Sequence, residues 1–345
     1  MKKINVLVVD DSAVVREILT NNLPKDNRIR VVGTAVDPFI ARKKIAKLDI
    51  DVIILDIELP KMDGLTFLKY LMSAYPIPVI ILSSLIDKKN KASMEALELG
   101  AIDVVPKPGG PYSVTEVLDI LRNRIVTASG IDFEKIKKSI NTNKNIVKKK
   151  YLTQIKTTRK LIAVGASTGG TTAIEIILKG FEKTFPPTVC VIHMPEKFTY
   201  SFAKRLNNIC SVNVKEAENN EKAETGCVYI APGNYHLKVK LVGADQILKV
   251  VKGPQINHQR PAVDILFNSV AENIGRNCIG ALLTGMGKDG AEGLLNIKNN
   301  GGYTIAQDEA TSIVFGMPKE AIDLGAADTV MPIDKIAGMI AQKLA

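Results

Sequence analysis

The chain of 345 residues contains no apolar run approaching the ~18 residues of a membrane span, so membrane insertion is not expected. Its amino terminus reads Met1-Lys2-Lys3, then a short apolar run ending at Asp10 and Asp11. The apolar core of ~7–15 residues and the small-residue cleavage site of a secretory signal are both missing. Cysteine is scarce: Cys190, Cys210, Cys227 and Cys278 are 20, 17 and 51 residues apart, with no CxxC pair. That spacing fits neither a zinc site nor a small disulfide framework. A cytoplasmic protein with reduced, mostly buried thiols is the expectation. Acidic residues are absent from one stretch, Lys135–Lys160, which holds nine Lys and one Arg. Without it, 36 basic residues face 36 acidic ones, so the net charge of +10 belongs to one segment and not to a basic folded face. No homeodomain, zinc or ribbon motif accompanies that charge, and no nucleic-acid partner is expected. No internal repeat is present.

What remains is the composition of a globular protein, 46% hydrophobic and 24% charged, long enough for two domains. Residues 4–126 alternate short β-rich runs (Ile4–Val9, Arg30–Ala35, Val52–Leu55, Val79–Leu82, Val104–Val105) with helical patterns. The helical stretches are Ala13–Leu23, Phe39–Leu48, Leu65–Ser73, Ser93–Leu99 and Ser113–Ala128. Such alternation predicts a parallel sheet covered on both faces. From Ser129-Gly130 the chain turns polar and Lys- and Asn-rich, which predicts a linker over 129–158 with a helical turn near Phe133–Ile140. A second α/β unit then fills 159–345, with strands expected at Leu161–Gly165, Thr188–Ile192 and Cys278–Leu283. Helices are expected at Thr172–Leu178, Ser201–Leu206 and Val263–Asn273. β-structure is expected over 226–252, and one or two strands with two helices over Tyr303–Ala345.

In the first domain Asp10 and Asp11 follow the first strand and Asp56 the third. Adjacent parallel strands would bring these carboxylates together, and their repulsion calls for a hard cation such as Mg2+. Ser83 ends the fourth strand and Lys107-Pro108 the fifth. Nucleophilic carboxylate, cation site, hydroxyl and ammonium at successive strand ends form a phosphoryl-transfer constellation. A single Asp at a strand end is ordinarily a helix cap, and a single Lys a solvated charge. The combination sets these residues apart. Asp10-Asp11-Ser12, Asp56, Pro60-Lys61-Met62-Asp63-Gly64, Ser83 and Lys107-Pro108 resemble the receiver domain of two-component response regulators. The resemblance implies a flavodoxin-like five-stranded parallel sheet over 1–128 and Asp56 as phosphoacceptor. It also implies Mg2+ held by Asp11, Asp56 and the Glu58 carbonyl with support from Asp10, with Ser83 as switch hydroxyl and Lys107 as phosphate-binding lysine.

In the second domain Gly165-Ala166-Ser167-Thr168-Gly169 is a G-x-S-x-G match between an expected strand and an expected helix. That is the context of a strained turn that exposes a serine hydroxyl. A serine needs a base, and the histidines are His193, His236 and His258. His193 ends the next strand and should lie beside Ser167; Asp289, in the glycine-rich loop Thr284–Gly290 after a further strand, could orient its imidazole. His236 and His258 read as packed or capping residues. The order Ser, His, Asp departs from the Ser, Asp, His order of α/β-hydrolases. The loop fits neither G-x-G-x-x-G nor a P-loop, so a nucleotide site is not expected.

Ser167, His193-Met194-Pro195, Ala231-Pro232-Gly233, Arg260-Pro261-Ala262-Val263-Asp264 and Thr284–Gly293 resemble the chemotaxis protein-glutamate methylesterase (CheB) family. The resemblance implies a doubly wound, mainly parallel α/β esterase domain with Ser167, His193 and Asp289 as triad. Backbone N–H groups of Met286 and Thr168 would form the oxyanion site, and ester hydrolysis would use no cofactor. It further implies glutamate methyl esters and glutamines on the cytoplasmic helices of methyl-accepting chemoreceptors as substrate. The histidine kinase CheA would be the phosphodonor, and the receiver would restrain the esterase until Asp56 is phosphorylated. A substrate carried on a helix calls for an open cleft at the sheet edge. Two rivals are a DNA-binding output and a docking regulator on a dead hydrolase fold. An output of this size and sheet content opposes the first, and the intact Ser, His and Asp oppose the second.

Overall fold

Val6–Val9, Ile53–Leu55 and Ile80–Leu82 are unbroken apolar runs, and every one of these side chains is fully buried. Such runs, without the in–out alternation of a half-exposed strand, belong to sheets covered on both faces. The computed structural model describes residues 2–83, 87–108, 113–131, 159–257 and 259–345, of which 87–91 carry no side-chain description. It divides into two compact units, Met1–Lys137 and Lys138–Ala345. The linker expected over 129–158, with its helical turn near Phe133–Ile140, falls almost wholly outside the described residues, as does His258.

In the first unit β1 (Ile4–Val9), β2 (Ile29–Ala35), β3 (Val52–Asp56), β4 (Val79–Ser83) and β5 (Asp103–Pro106) form one sheet in the order β2-β1-β3-β4-β5. All its pairings are parallel. The helices are α1 (Ala13–Asn22), α2 (Pro38–Ile45), α3 (Gly64–Ala74), α4 (Asp87–Glu98) and α5 (Val114–Ser129). Several starts are written in the sequence: Ser12, Asp37, Asp63 and Ser113 each accept a backbone N–H as N-caps, and Ser113 with Glu116 completes a capping box. The strand order reverses between β1 and β3. Ligand sites of such sheets gather at that switch point, beyond the carboxyl ends of the strands.

The second unit is built on a seven-stranded, all-parallel sheet in the order β14-β13-β12-β6-β7-β9-β8. Its strands are β6 (Leu161–Ala166), β7 (Thr188–Ile192), β8 (Asn213–Glu216), β9 (Cys227–Ile230), β12 (Cys278–Leu282), β13 (Tyr303–Gln307) and β14 (Thr329–Met331). A separate antiparallel hairpin joins β10 (His236–Val242) to β11 (Asp245–Val251). The helices are α6 (Gly170–Lys179), α7 (Phe198–Ile209), α8 (Val263–Ile274), α9 (Ala291–Asn299), α10 (Met317–Asp323) and α11 (Ile333–Leu344). The core runs from Leu161, Ala163, Val189 and Val191 on the sheet to Leu266, Phe267 and Val270 of α8.

Two elements escape the sequence reading. β8 has Val214 as its one buried residue and lies at the sheet edge, too short and too polar for a strand pattern. α9 carries Gly293 in its interior, and an interior glycine lowers helix propensity by about 1 kcal/mol. The thiols are free, but only Cys190 and Cys278 are buried, while Cys210 and Cys227 are half-buried. Among the described residues no helix is long and apolar enough to cross a membrane.

Candidate active site and phosphoacceptor site

At the switch point of the first sheet, ligand atoms of Asp10, Asp11 and Asp56 all lie within 4.8 Å of one another. Lys107 Nζ, arriving from the end of β5, is 2.6 Å from Asp56 Oδ2 and 3.0 Å from Asp10 Oδ2. Burial pushes the Asp56 carboxyl up to about 6; Asp10 repels its charge, while Lys107 and the Glu58 N–H, 3.1 Å from Oδ1, pull the other way. Burial would depress Lys107, yet its two carboxylate partners leave it raised. Asp10 Oδ2 is buried and, beyond that ion pair, has no hydrogen bond of good geometry among the described residues. An under-satisfied buried oxygen beside two further carboxylates is a donor set that fits a hard divalent cation. Ser83 at the end of β4 accepts a 2.9 Å hydrogen bond from Ser93 of α4, a partner with no signal in the sequence. The Pro60–Gly64 loop serves local structure as well: Lys61 pairs with the buried Asp37, and Asp63 caps α3.

The second sheet also reverses its order beside β6, which has β7 on one side and β12 on the other. Gly165 pairs with Val191 and with Leu282, so the residues just past all three strands meet at one edge. Ser167 follows β6 and His193 follows β7, whose N–H donates to Ala166 O. Across the other side, Ser167 N–H donates 3.0 Å to Thr284 O. The loop from Thr284 carries Met286 and Asp289, and Thr284 Oγ1 ties it to Thr168 O at 3.0 Å.

Gly285 makes this contact sterically feasible. A Cβ there would stand 2.8 Å from Ser167 Cβ and 2.3 Å from Met317 Sδ. Gly285→Ala is therefore expected to cost about 1–3 kcal/mol of stability by overpacking and to lower hydrolysis by displacing Ser167. Chemical denaturation alongside turnover would check this, and an unaffected variant would mean that the loop yields freely.

The strained serine turn is not what the structure contains. Ser167 is absent from the left-handed region, and the turn is made by Gly169 at φ +78°, which starts α6. Nor is the site open at the residue level: Ser167, His193 and Asp289 are 5%, 7% and 2% exposed.

Asp289 Oδ2 lies 2.7 Å from His193 Nε2. The same oxygen accepts from Val263 N–H at 2.7 Å, and Oδ1 accepts from Asp264 N–H at 3.0 Å. These are the first N–H groups of α8, whose own N-cap residue, Ala262, offers no side-chain acceptor. Asp289 thus caps α8 from another loop, and the helix amino end favours its negative charge. Burial opposes that charge, but the His193 bond and the two N–H groups outweigh it and hold the carboxyl below its ordinary value. Next to it Asp264 is pushed up to about 7 by burial and by the charge of Asp289. His193 Nδ1 is buried and has no hydrogen-bond partner among the described residues. His236, by contrast, is satisfied at both ring nitrogens: Nε2 is 2.8 Å from Pro254 O and Nδ1 accepts from Ala262 N–H. It is a packed histidine. Asp264 was visible in the sequence only as part of the Arg260–Asp264 motif, and its meeting with Asp289 depends on two segments 25 residues apart.

With that geometry, the two sites are those of a receiver domain joined to a serine-type hydrolase. The CheB methylesterase family model matches residues 162–340, and the response regulator receiver domain model matches 6–119. A protein-glutamate methylesterase/protein-glutamine glutaminase of Syntrophus aciditrophicus is 49% identical over 99% of each chain. One of the same description from Leptospira interrogans is 47% identical over 98% of this chain and 99% of its own. The crystal structure of the Thermotoga maritima CheB methylesterase catalytic domain covers 54% of this chain and 100% of its own, at 42% identity and a TM-score of 0.53. The chain belongs to the CheB methylesterase family, as a hydrolase carrying a response-regulator receiver domain.

Proposed function

We propose that the chain is a phosphorylation-activated serine hydrolase that cleaves glutamate methyl esters, and deamidates glutamines, on the cytoplasmic helices of methyl-accepting chemoreceptors. The observation that carries this reading is the 2.7 Å His193–Asp289 pair at the sheet edge where Ser167 follows the neighbouring strand. Ser167 attacks the ester carbonyl while His193 accepts its proton. Because Nε2 is committed to Asp289, the accepting atom is Nδ1, the buried nitrogen without a partner. The imidazolium returns that proton to the leaving methoxide, methanol departs, and a glutamyl-enzyme remains. His193 then activates water, and hydrolysis releases the receptor carboxylate and Ser167. The backbone N–H groups of Met286 and Thr168 are the proposed donors to the oxyanion. With a glutamine, ammonia replaces methanol. The hydrolysis as written calls on no cofactor. The test is enzymatic methanol and ammonia release from a methylated and an amidated receptor fragment. Absence of both from phosphodonor-treated protein would end the proposal.

Asp289→Asn is expected to lower turnover by about 10⁴-fold, less than loss of the nucleophile, because Asp289 orients and stabilises His193 and does not transfer the proton. Steady-state kinetics would decide; a loss equal to that of Ser167→Ala would assign Asp289 a larger part.

In the receiver, Asp56 is the proposed phosphoacceptor, with a CheA-type histidine kinase as donor. Asp11, Asp56 and the Glu58 carbonyl would hold Mg2+ with Asp10 in support, and the ion would neutralise the phosphoryl oxygens. Ser83 and Lys107 are the proposed switch and phosphate-binding groups. The reading assigns 1–128 to the receiver, 129–158 to a tether and 159–345 to the catalytic domain, in a cytoplasmic protein without nucleic-acid partners or membrane insertion.

Burial raises the folded Asp56 carboxyl from its ordinary value of 3.8 to about 6, so its ionisation costs stability above that window and the cost vanishes as pH falls through it. Mg2+ is therefore expected to raise the melting temperature of the receiver transition more at pH 7.5 than at pH 5. Calorimetry with and without MgCl2 would show it, and an equal increment in Asp56→Asn would refute the assignment.

A further inference from the structure

We propose that Asp264 is a positioning residue for ester hydrolysis, its carboxyl group locking the Asp289 carboxylate in the orientation that serves His193. The inference rests on reading Ser167, His193 and Asp289 as the hydrolytic machinery, and it concerns a residue that this machinery does not otherwise use.

Asp264 is the second residue of α8 and is 8% exposed. Its N–H donates to Asp289 Oδ1 at 3.0 Å, which sets the two buried carboxyl groups side by side. Its own Oδ1 accepts the Gly293 N–H at 2.8 Å. Facing the carboxyl from the loop before α9 is therefore Asp289, with His193 behind it. The backbone N–H groups of Gly290 and Gly293 face it from the same loop and from α9.

Two buried carboxyl groups in contact do not both ionise. Their partners decide which keeps the charge. Asp289 accepts from an imidazole and from two N–H groups at a helix amino end, and stays ionised. Asp264 has the poorer set and retains its proton to about pH 7. The protonated carboxyl then donates its O–H to Asp289. A carboxylate held on one oxygen by His193 and Val263, and on the other by Asp264, has no freedom to rotate away from the imidazole. Such clamping keeps the imidazole in place without neutralising the charge that stabilises the imidazolium. When Asp264 loses its proton, the donated bond becomes a repulsion.

The experiment measures kcat and KM for methanol release by phosphodonor-treated full-length protein across the neutral and alkaline range. Wild type, Asp264→Ala and Asp264→Asn are compared, with Ser167→Ala as reference. Asp264→Ala is expected to lower kcat about ten- to hundredfold with KM unchanged, the weight of one hydrogen bond to a charged group. Asn still offers an N–H to Asp289 and an oxygen to Gly293, so it restores most of kcat. It should also lack the alkaline decline that wild type shows as Asp264 ionises. The low-field imidazole N–H proton resonance of His193 should move in the Ala variant and persist in the Asn variant. Wild-type kcat in a folded Asp264→Ala protein overturns the proposal. So does an Asn variant as impaired as Ala, or one with the wild-type pH profile. If Asp264→Ala does not fold, the Asn pH profile and resonance carry the same decision. Full activity in Ser167→Ala would instead sink the underlying reading of the triad.

Discussion

Ser167→Ala is expected to abolish methanol release, a loss of about six orders of magnitude, the scale for removing a serine nucleophile. The substitution deletes one hydroxyl from a small side chain that packs beside Gly285 and changes neither the turn at Gly169 nor the pairing of β6. The melting temperature should therefore stay near that of wild type while the reaction loses the atom that forms the acyl intermediate. His193→Gln should fall comparably, because no other described histidine reaches this edge and His236 has both ring nitrogens occupied. Methanol release by wild type, Ser167→Ala, His193→Gln and His236→Gln, with circular dichroism to verify folding, decides the matter. Retained activity in Ser167→Ala would remove the nucleophile, and a greater loss in His236→Gln than in His193→Gln would mean that the base lies elsewhere.

Asp56→Asn should eliminate the response to a phosphodonor altogether. Acetyl phosphate with Mg2+ is expected to increase esterase turnover of the full-length protein and to leave the variant at its basal rate. Phosphorylation at the end of β3 would place new anionic oxygens where Lys107 Nζ already stands 2.6 Å from the Asp56 carboxylate. Lys107 and Ser83 would then bind those oxygens and shift the ends of β5 and β4. Activation follows only if the phosphorylated state interacts differently with the catalytic domain, since equal affinity for both states shifts no population. A fragment spanning residues 155–345 supplies the third comparison. The separately crystallised Thermotoga maritima catalytic domain, matched at 42% identity, supports its folding alone. The fragment should be active without phosphodonor. A fragment no faster than unphosphorylated full-length protein would replace simple restraint with stimulation by the receiver. A response that survives in Asp56→Asn would move the phosphorylation site.

Much of this molecule is legible in its sequence because short-range chemistry carries it. Unbroken apolar runs define buried parallel strands, and Ser12, Asp37, Asp63 and Ser113 announce helices through side chains that bond the next turn. Polar residues directly after strands can be assigned to one sheet edge, so Asp10, Asp11, Asp56, Ser83 and Lys107 fall together before any coordinates are known. The same reasoning brings Ser167, His193 and Asp289 to a second edge. β8 and α9 escape it: one has a single buried side chain, the other an interior glycine. Only the tertiary structure decides which imidazole nitrogen of His193 meets Asp289, that Gly169 and not the serine makes the turn, and that Asp289 caps a helix of another segment. It alone also brings Asp264 against Asp289. Those features depend on ångström-scale distances between distant segments, and hydrogen bonding and carboxylate repulsion change sign or vanish over just such distances, whereas strand pattern and capping act between neighbours that the chain itself holds together.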